Sequence, residues 1–359
     1  MEVCRLGGYW LPSTPNVRYL SGFTGEDSGL LVTPDRSILI TDSRYVEQAE
    51  DEAHVDEVIC RHGPMSGTVG GLVGRLAVQR LGLTAANLTH AEFRALRKAA
   101  PDVDMRARKQ GIAEQMRRRK DEAEVQVIRK ALQAAEQAFV NVLPEILPGA
   151  VEREIAARLE YEMRMAGAEG TAFETISAAD ARASVPHART GEQAIEPGGT
   201  LLLDWGARLD GYCCDLTRVV CTDRIAETFS GLIEIVIEAQ AAVFEKLRPG
   251  NTCGEADAAG RAVIAGAGCG RFFGHGIGHG VGLSVHEAPR VGPGVDTVLL
   301  PGMVTTVEPG IYVPGKVGIR IEEMVLITRG EPEVLTSLPR RPQDVAALRD
   351  TALSKQNKA

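Results

Sequence analysis

The chain has 359 residues, enough for about two domains and a sizeable core without staples. With 44% apolar and 25% charged residues it is not a disordered chain, and no apolar run approaches the roughly 20 residues that span a membrane. Lys plus Arg number 40 against 48 Asp plus Glu, and a net charge of −8 argues against nucleic acid as the partner.

The first segment, MEVCRLGGYW, has no basic region followed by a long apolar stretch, and the seven cysteines form no CxxC pair. Reduced thiols in a cytoplasmic protein are the expectation. Residues 1 to about 110 read as an α/β unit. Ser28–Thr33 and Ser37–Thr41 are apolar runs around Pro34-Asp35-Arg36, a hairpin signal. Asp42-Ser43 reads as the N-cap region of a helix through Glu50, and Val69–Leu81 and Ala91–Ala99 have helical spacing. Arg106–Lys120 carries seven Lys or Arg and one Glu, and reads as a solvated connector between domains. The expected organisation is a small mixed α/β domain over 1–115, a second domain over 116–340 and a tail over 341–359.

A long amphipathic helix follows Asp121, with Val125, Ile128, Leu132, Ala135, Phe139 and Leu143 on one face. From here the chain shows an internal repeat. Leu147-Pro148-Gly149 and Arg248-Pro249-Gly250 end two helical segments 101 residues apart. Each is followed by a second helical segment reaching Gly167 or Gly268. Pro197-Gly198 and Pro301-Gly302 then precede apolar strands that end in an acid, Asp204 and Glu308. Near-constant offsets predict two related α/β halves.

Those acids lie in hairpins. Centred between Leu209 and Asp210, the first hairpin places Asp204 opposite Asp215; centred on Gly315, the second places Glu308 opposite Glu322. Facing buried carboxylates repel unless protonated or matched by cations. Either the acids are exposed or paired with Arg218 or Arg320, or the four build a metal site. The run GHGIGHGVGLSVHE holds His275, His279 and His286 among glycines, and His187 lies in SVPHART. This favours a site. The run contains no GxGxxG, and HExxH, GxSxG and GxxxxGK[ST] are absent from the chain, which removes phosphate-cradling, zincin and α/β-hydrolase templates. Cys213 and Cys214 read as small packing residues rather than soft ligands. Four carboxylates and an imidazole suit hard to borderline divalent ions, Mn or Co above Zn or Fe. Two such ions would offset the four charges, acidify a water and polarise a carbonyl, the apparatus of amide hydrolysis.

The motifs SVPHA, DWGARLDGYCCDLTR, GHGIGHGVGLSVHE, TVEPGIY and GIRIEE, with NVRYLSGFTGEDSGLLV near the N-terminus, resemble the pita-bread metallopeptidase family, in particular its proline-specific branch. That resemblance implies a creatinase/prolidase-like N-terminal domain and a pseudo-twofold catalytic domain. It implies Asp204, Asp215, His279, Glu308 and Glu322 as ligands of two ions, with Asp215 and Glu322 bridging. His187 and His286 would hold the substrate and the tetrahedral intermediate, with His275 beside them. Glu308 would also handle the proton, and Arg320 would support Glu322. Arg290, in VHEAPRVG, is placed to bind the carboxylate of a dipeptide. The implied activity is hydrolysis of Xaa-Pro bonds in short peptides by a homodimer. The leading form is an Xaa-Pro dipeptidase; the alternatives are an aminopeptidase P acting on longer peptides and a non-catalytic pita-bread binding module.

Overall fold

The structure, a computed structural model, describes residues 6–109, 111–222 and 227–356. The first five residues of the segment read for a leader, Gln110 of the basic stretch and the last three residues of the expected tail lie outside the described residues. The contacts divide the chain into two units, Met1–Arg117 and Arg118–Ala359.

The first unit runs β1 (Gly8–Leu11), α1 (Thr14–Ser21), β2 (Gly29–Val32), β3 (Ser37–Thr41), α2 (Val46–Glu52), β4 (Glu57–Cys60), α3 (Met65–Arg75), β5 (Arg80–Thr84), α4 (His90–Ala99), β6 (Asp104–Arg108) and α5 (Ile112–Arg117). Its sheet has the order β4-β3-β2-β1-β5-β6. Strand alternation sorts the apolar residues between two cores. Trp10, Leu31, Ile38 and Ile40 join Val69, Leu72 and Leu96 of α3 and α4. Tyr9, Leu11, Leu30 and Leu39 join Val17 of α1 and Ala49 of α2 on the other face.

The expected first hairpin forms, with Leu31 opposite Ile38. Three expectations are corrected. The helix expected over Val69–Leu81 ends at Arg75, because Ala77 takes a left-handed conformation (φ 51°) and Leu81 and Leu83 alternate into the core from a strand. The helix expected from Asp42 begins at Val46; the Asp42 carboxylate accepts the Arg44 N–H and guanidinium instead. The basic stretch is no solvated connector. Arg106 and Arg108 lie in β6, Arg117 is buried and donates to Asn16, and the buried Lys120 ammonium pairs with Glu287 at 2.7 Å.

The second unit is a repeat of helix pair and hairpins. α6 (Glu122–Val142), capped reciprocally by Asp121 and Glu124, and α7 (Glu152–Met165) precede β7 (Gly170–Thr171), β8 (Ile176–Ala179), β9 (Thr200–Trp205), β10 (Ala207–Leu209), β11 (Tyr212–Cys213) and β12 (Leu216–Cys221). α8 (Glu227–Phe244) and α9 (Cys253–Gly266) precede β13 (Gly278–Gly280), β14 (Glu287–Val291), β15 (Val304–Val307), β16 (Gly310–Val313), β17 (Val317–Arg320), β18 (Glu323–Leu326), β19 (Glu333–Val334) and α10 (Pro342–Gln356).

Strand order β8-β9-β12 in the first half matches β13-β15-β18 in the second. The same backbone bonds recur: Gly149 N–H to Ile195 O and Gly250 N–H to Leu299 O, with Gly149 and Gly250 both left-handed at φ 90° and 97°. Leu201, Leu203 and Trp205 pack on Phe139 of α6, while Leu202 faces Ile237 and Val243 of α8. Within the expected tail, α10 is no free segment, since it buries Val345 in the α6 core.

Candidate active site

Each half contributes a hairpin with both arms interrupted, at Gly206 and Asp215 in the first and at Glu308 and Glu322 in the second. In the first, Asp210 and Gly211 both have positive φ (44° and 76°), which makes them the central pair of a two-residue turn of the primed kind. Leu209 therefore pairs with Tyr212, and Asp204 with Thr217, not Asp215. The expected register was off by one residue at the turn. Asp215 sits in the gap between β11 and β12, beside the break at Gly206, where a Cβ would lie 2.0 Å from Cys214 O. Cys214 bridges this break, giving its N–H to Ala207 O and accepting the Ala207 N–H on sulfur.

The second hairpin has the expected register, with Ile311 opposite Ile319 and Val307 opposite Glu323. Glu308 and Glu322 thus oppose each other in the gap between the two paired stretches. Their N–H groups turn outward, to Ile277 O at 2.8 Å and Thr217 O at 3.2 Å. His279 enters from β13, which lies beside β15 and β14. The alternating glycines let these strands approach: a Cβ on Gly278 would lie 2.0 Å from Thr306 O.

These elements bring Asp215, His279 and Glu322 together, with one potential ligand atom from each within 4.8 Å of the others. His279 Nε2 is 3.5 Å from Asp215 and 3.4 Å from Glu308. Its Nδ1 faces Gly280 O at 3.1 Å, so the proton belongs there and Nε2 presents a lone pair. Burial, then the facing His286 ring, push His279 down to about 4, so the imidazole is neutral near pH 7. Burial and mutual repulsion hold Asp215 and Glu322 well above the usual carboxylate range, and burial pushes Glu308 up to about 7.

Asp204 stands apart from that group: Oδ2 accepts Arg320 Nη2 at 2.5 Å, and Oδ1 is buried with no partner among the described residues. Arg320 also donates to Thr217 Oγ1, Tyr312 Oη and Pro186 O. It does not touch Glu322 directly, as had been expected; the support passes through Thr217, whose hydroxyl donates to Glu322 Oε2 at 2.8 Å. Arg218, the other candidate counter-ion, is consumed elsewhere, by Glu323 and the Leu338 carbonyl. The acids therefore outnumber the cations that reach them. The orphaned Asp204 oxygen, the neutral imidazole lone pair and the carboxyls whose ionisation burial opposes are a donor set that divalent ions would complete.

At the rim, His187 and His286 are both exposed, and their proximity lowers the pKa of His286 after partial desolvation. His275 is less accessible; Nε2 contacts Tyr312 Oη at 3.0 Å, and burial pushes it down to about 4. Arg290 is exposed on β14 directly opposite His279, hence on the same face of the sheet, and has no ion pair among the described residues. Thr217, Thr306 and Tyr312 also bond site residues; each lies inside a motif that carries the family resemblance, but by residue type none points to a ligand or catalytic role. Only Thr217 had a usable signal, since seating Asp210-Gly211 at the turn centre puts it opposite Asp204.

The model of metallopeptidase family M24 matches residues 126–329, and that of the creatinase/prolidase N-terminal domain matches residues 1–119. This chain belongs to metallopeptidase family M24. It is 36% identical to an Xaa-Pro dipeptidase of Pyrococcus horikoshii over 92% of each chain. Among solved structures it resembles an Xaa-Pro dipeptidase from Bacillus anthracis (TM-score 0.89, 38% identity, 94% of each chain). It also resembles an X-Pro aminopeptidase from Thermotoga maritima (TM-score 0.86, 36% identity, 94% of this chain and 97% of that one). The M24 fold has the expected architecture, a mixed α/β N-terminal unit and a pseudo-twofold pita-bread unit, and M24 membership makes the protein a metal-dependent hydrolase. Among the described residues no helix is long and apolar enough to cross a membrane.

Proposed function

We propose that the protein is a two-metal peptidase that hydrolyses Xaa-Pro dipeptides. The observation that carries the dipeptide form is Arg290, an exposed guanidinium opposite His279 with no ion pair among the described residues. A dipeptide ends in a free carboxylate one residue beyond the scissile bond, and guanidinium binds carboxylate bidentately. Asp204, Asp215, His279, Glu308 and Glu322 would hold the ions in this reading. Two divalent ions, Mn or Co for so oxygen-rich a set, would acidify a water and polarise the scissile carbonyl.

The chain's own residues do the rest. Burial keeps the His279 imidazole neutral and its Nδ1 proton on Gly280 O, so Nε2 stays available. Glu308 is the acid that would pass a proton to the proline nitrogen, which has no hydrogen of its own. His187 and His286 at the rim orient the substrate carbonyl and the tetrahedral intermediate, and His275 holds the Tyr312 hydroxyl against Arg320. The cytoplasmic location rests on the sequence argument from cysteine usage, and the homodimer on the family resemblance; sedimentation measures the latter.

The likeness to an X-Pro aminopeptidase supports a second reading, cleavage of longer peptides. The ratio of kcat/KM on Xaa-Pro dipeptides to that on Xaa-Pro-Xaa tripeptides separates the two. The dipeptidase reading requires a wild-type ratio above one, and a drop of roughly 2–4 kcal/mol on dipeptides in Arg290→Ala with tripeptides much less affected. A ratio that the substitution leaves unchanged removes Arg290 from the site and favours the aminopeptidase.

A further inference from the structure

Gln240 lies on α8, is fully buried, and among the described residues its side chain has no hydrogen bond to a side chain assigned above to metal or substrate. Its side-chain Nε2 donates twice, to Val307 O at 3.2 Å and to Ile321 O at 2.8 Å. These are the carbonyls immediately before Glu308 and Glu322, one on each arm of the second hairpin. Both partners are acceptors, so the amide orientation follows from the contacts themselves. The amide oxygen has no partner among the described residues, so the two donors are the side chain's whole hydrogen-bonding role.

The hairpin shows why a donor is wanted at this place. Its register is continuous across the gap, with Val307 opposite Glu323 and Gly310 opposite Arg320. Pro309 therefore falls opposite Ile321. Glu308 and Glu322 turn their N–H groups outward, to Ile277 O and Thr217 O, so by strand alternation Pro309 and Ile321 face each other. Proline has no N–H to give. The cross-strand bond that would hold the arms at the level of the two acids is missing, and the α8 amide stands in for it from outside the sheet.

We propose that Gln240 is a positioning residue for the metal centre: by bonding both arms at once it sets the spacing between Glu308 and Glu322. The proposal rests on the reading of those two acids as ligands. Outer groups that fix ligand orientation change metal affinity by about 10–100-fold, and the same range is expected here.

The test is calorimetric titration of chelator-stripped protein with Mn²⁺ alone, with the electron paramagnetic resonance signal of the loaded protein as a second readout. Gln240→Met keeps the length and removes both donors. Val243→Ala, one turn further along α8 and packed towards Gly260 of α9, is the structural control. Gln240→Met is expected to weaken one of two ions by tenfold or more and to lose the coupled two-ion signal. Val243→Ala is expected to lower the melting temperature and leave the titration as in wild type. If Gln240→Met does not fold, Gln240→Asn, which withdraws the amide by one methylene, is expected to give the same change more weakly. Wild-type binding of both ions by the folded Gln240 variant overturns the inference, as does an equal weakening in Val243→Ala. A wild-type protein that binds no Mn²⁺ overturns instead the metal reading on which it stands.

Discussion

Glu308 gives the metal-free protein a pH dependence of unusual sign. Burial pushes its carboxyl from 4.5 up to about 7 in the folded chain. Between those values the folded state keeps a proton that the unfolded chain has released, so stability is full below about pH 4.5 and falls as pH rises through about 7. A shift of about 2.5 units, at about 1.36 kcal/mol per unit, amounts to about 3 kcal/mol. Glu308→Gln removes this dependence while keeping the shape. In excess chelator, the variant and the wild type should lie within about 1 kcal/mol of each other at pH 5, where the folded Glu308 carboxyl is still protonated. At pH 8 the variant should be more stable by about 3 kcal/mol. Urea unfolding read from Trp205, which stacks on Phe139, reports on this unit once Trp10 is replaced by Phe. Saturating Mn²⁺ should reverse the order, because the ion needs the carboxylate. The same stability difference between the two proteins at pH 5 and pH 8 would refute the reasoning.

Other predictions concern the same centre. Asp215→Asn and Glu322→Gln should each lose at least one ion by elemental analysis and slow Xaa-Pro hydrolysis about a hundredfold or more; full occupancy with wild-type turnover would contradict the assignment. Arg320→Met should destabilise the chelated protein at pH 7 by about 3 kcal/mol, since it strands the buried Asp204 carboxylate; urea unfolding measures it. Metal affinity should fall about tenfold per pH unit for each proton displaced below about pH 7, and activity on the acid side with it. Titrations in two buffers of different ionisation enthalpy count those protons, and an affinity constant from pH 5.5 to 7.5 would contradict the raised carboxyls.

Much of this site was legible because turn residues and apolar runs fix hairpins locally. Val317–Leu326 and Val304–Val313 pair about Gly315 as read from the sequence, which put Glu308 opposite Glu322. The first hairpin lies one residue further along than its apolar runs suggest, because its turn is seated by the positive φ of both Asp210 and Gly211. The partner of Arg320 was not readable at all: choosing Asp204 over Glu322 depends on how the two halves pack, 116 residues apart. Gln240 is one of several polar residues on a largely apolar helix that also carries Glu234 and Glu238, and its acceptors lie 67 and 81 residues away. In the N-terminal unit, the helical spacing of Val69–Leu81 misled because a five-residue strand, Arg80–Thr84, holds too few alternations to outweigh it.

The measurement that bears most directly on the account is hydrolysis of an Xaa-Pro dipeptide by stripped protein as Mn²⁺ is added, with metal content verified at each point. Activity should be absent in the stripped protein and reach its plateau at two ions per chain. Full Xaa-Pro activity in protein shown by elemental analysis to be metal-free would contradict the two-metal centre.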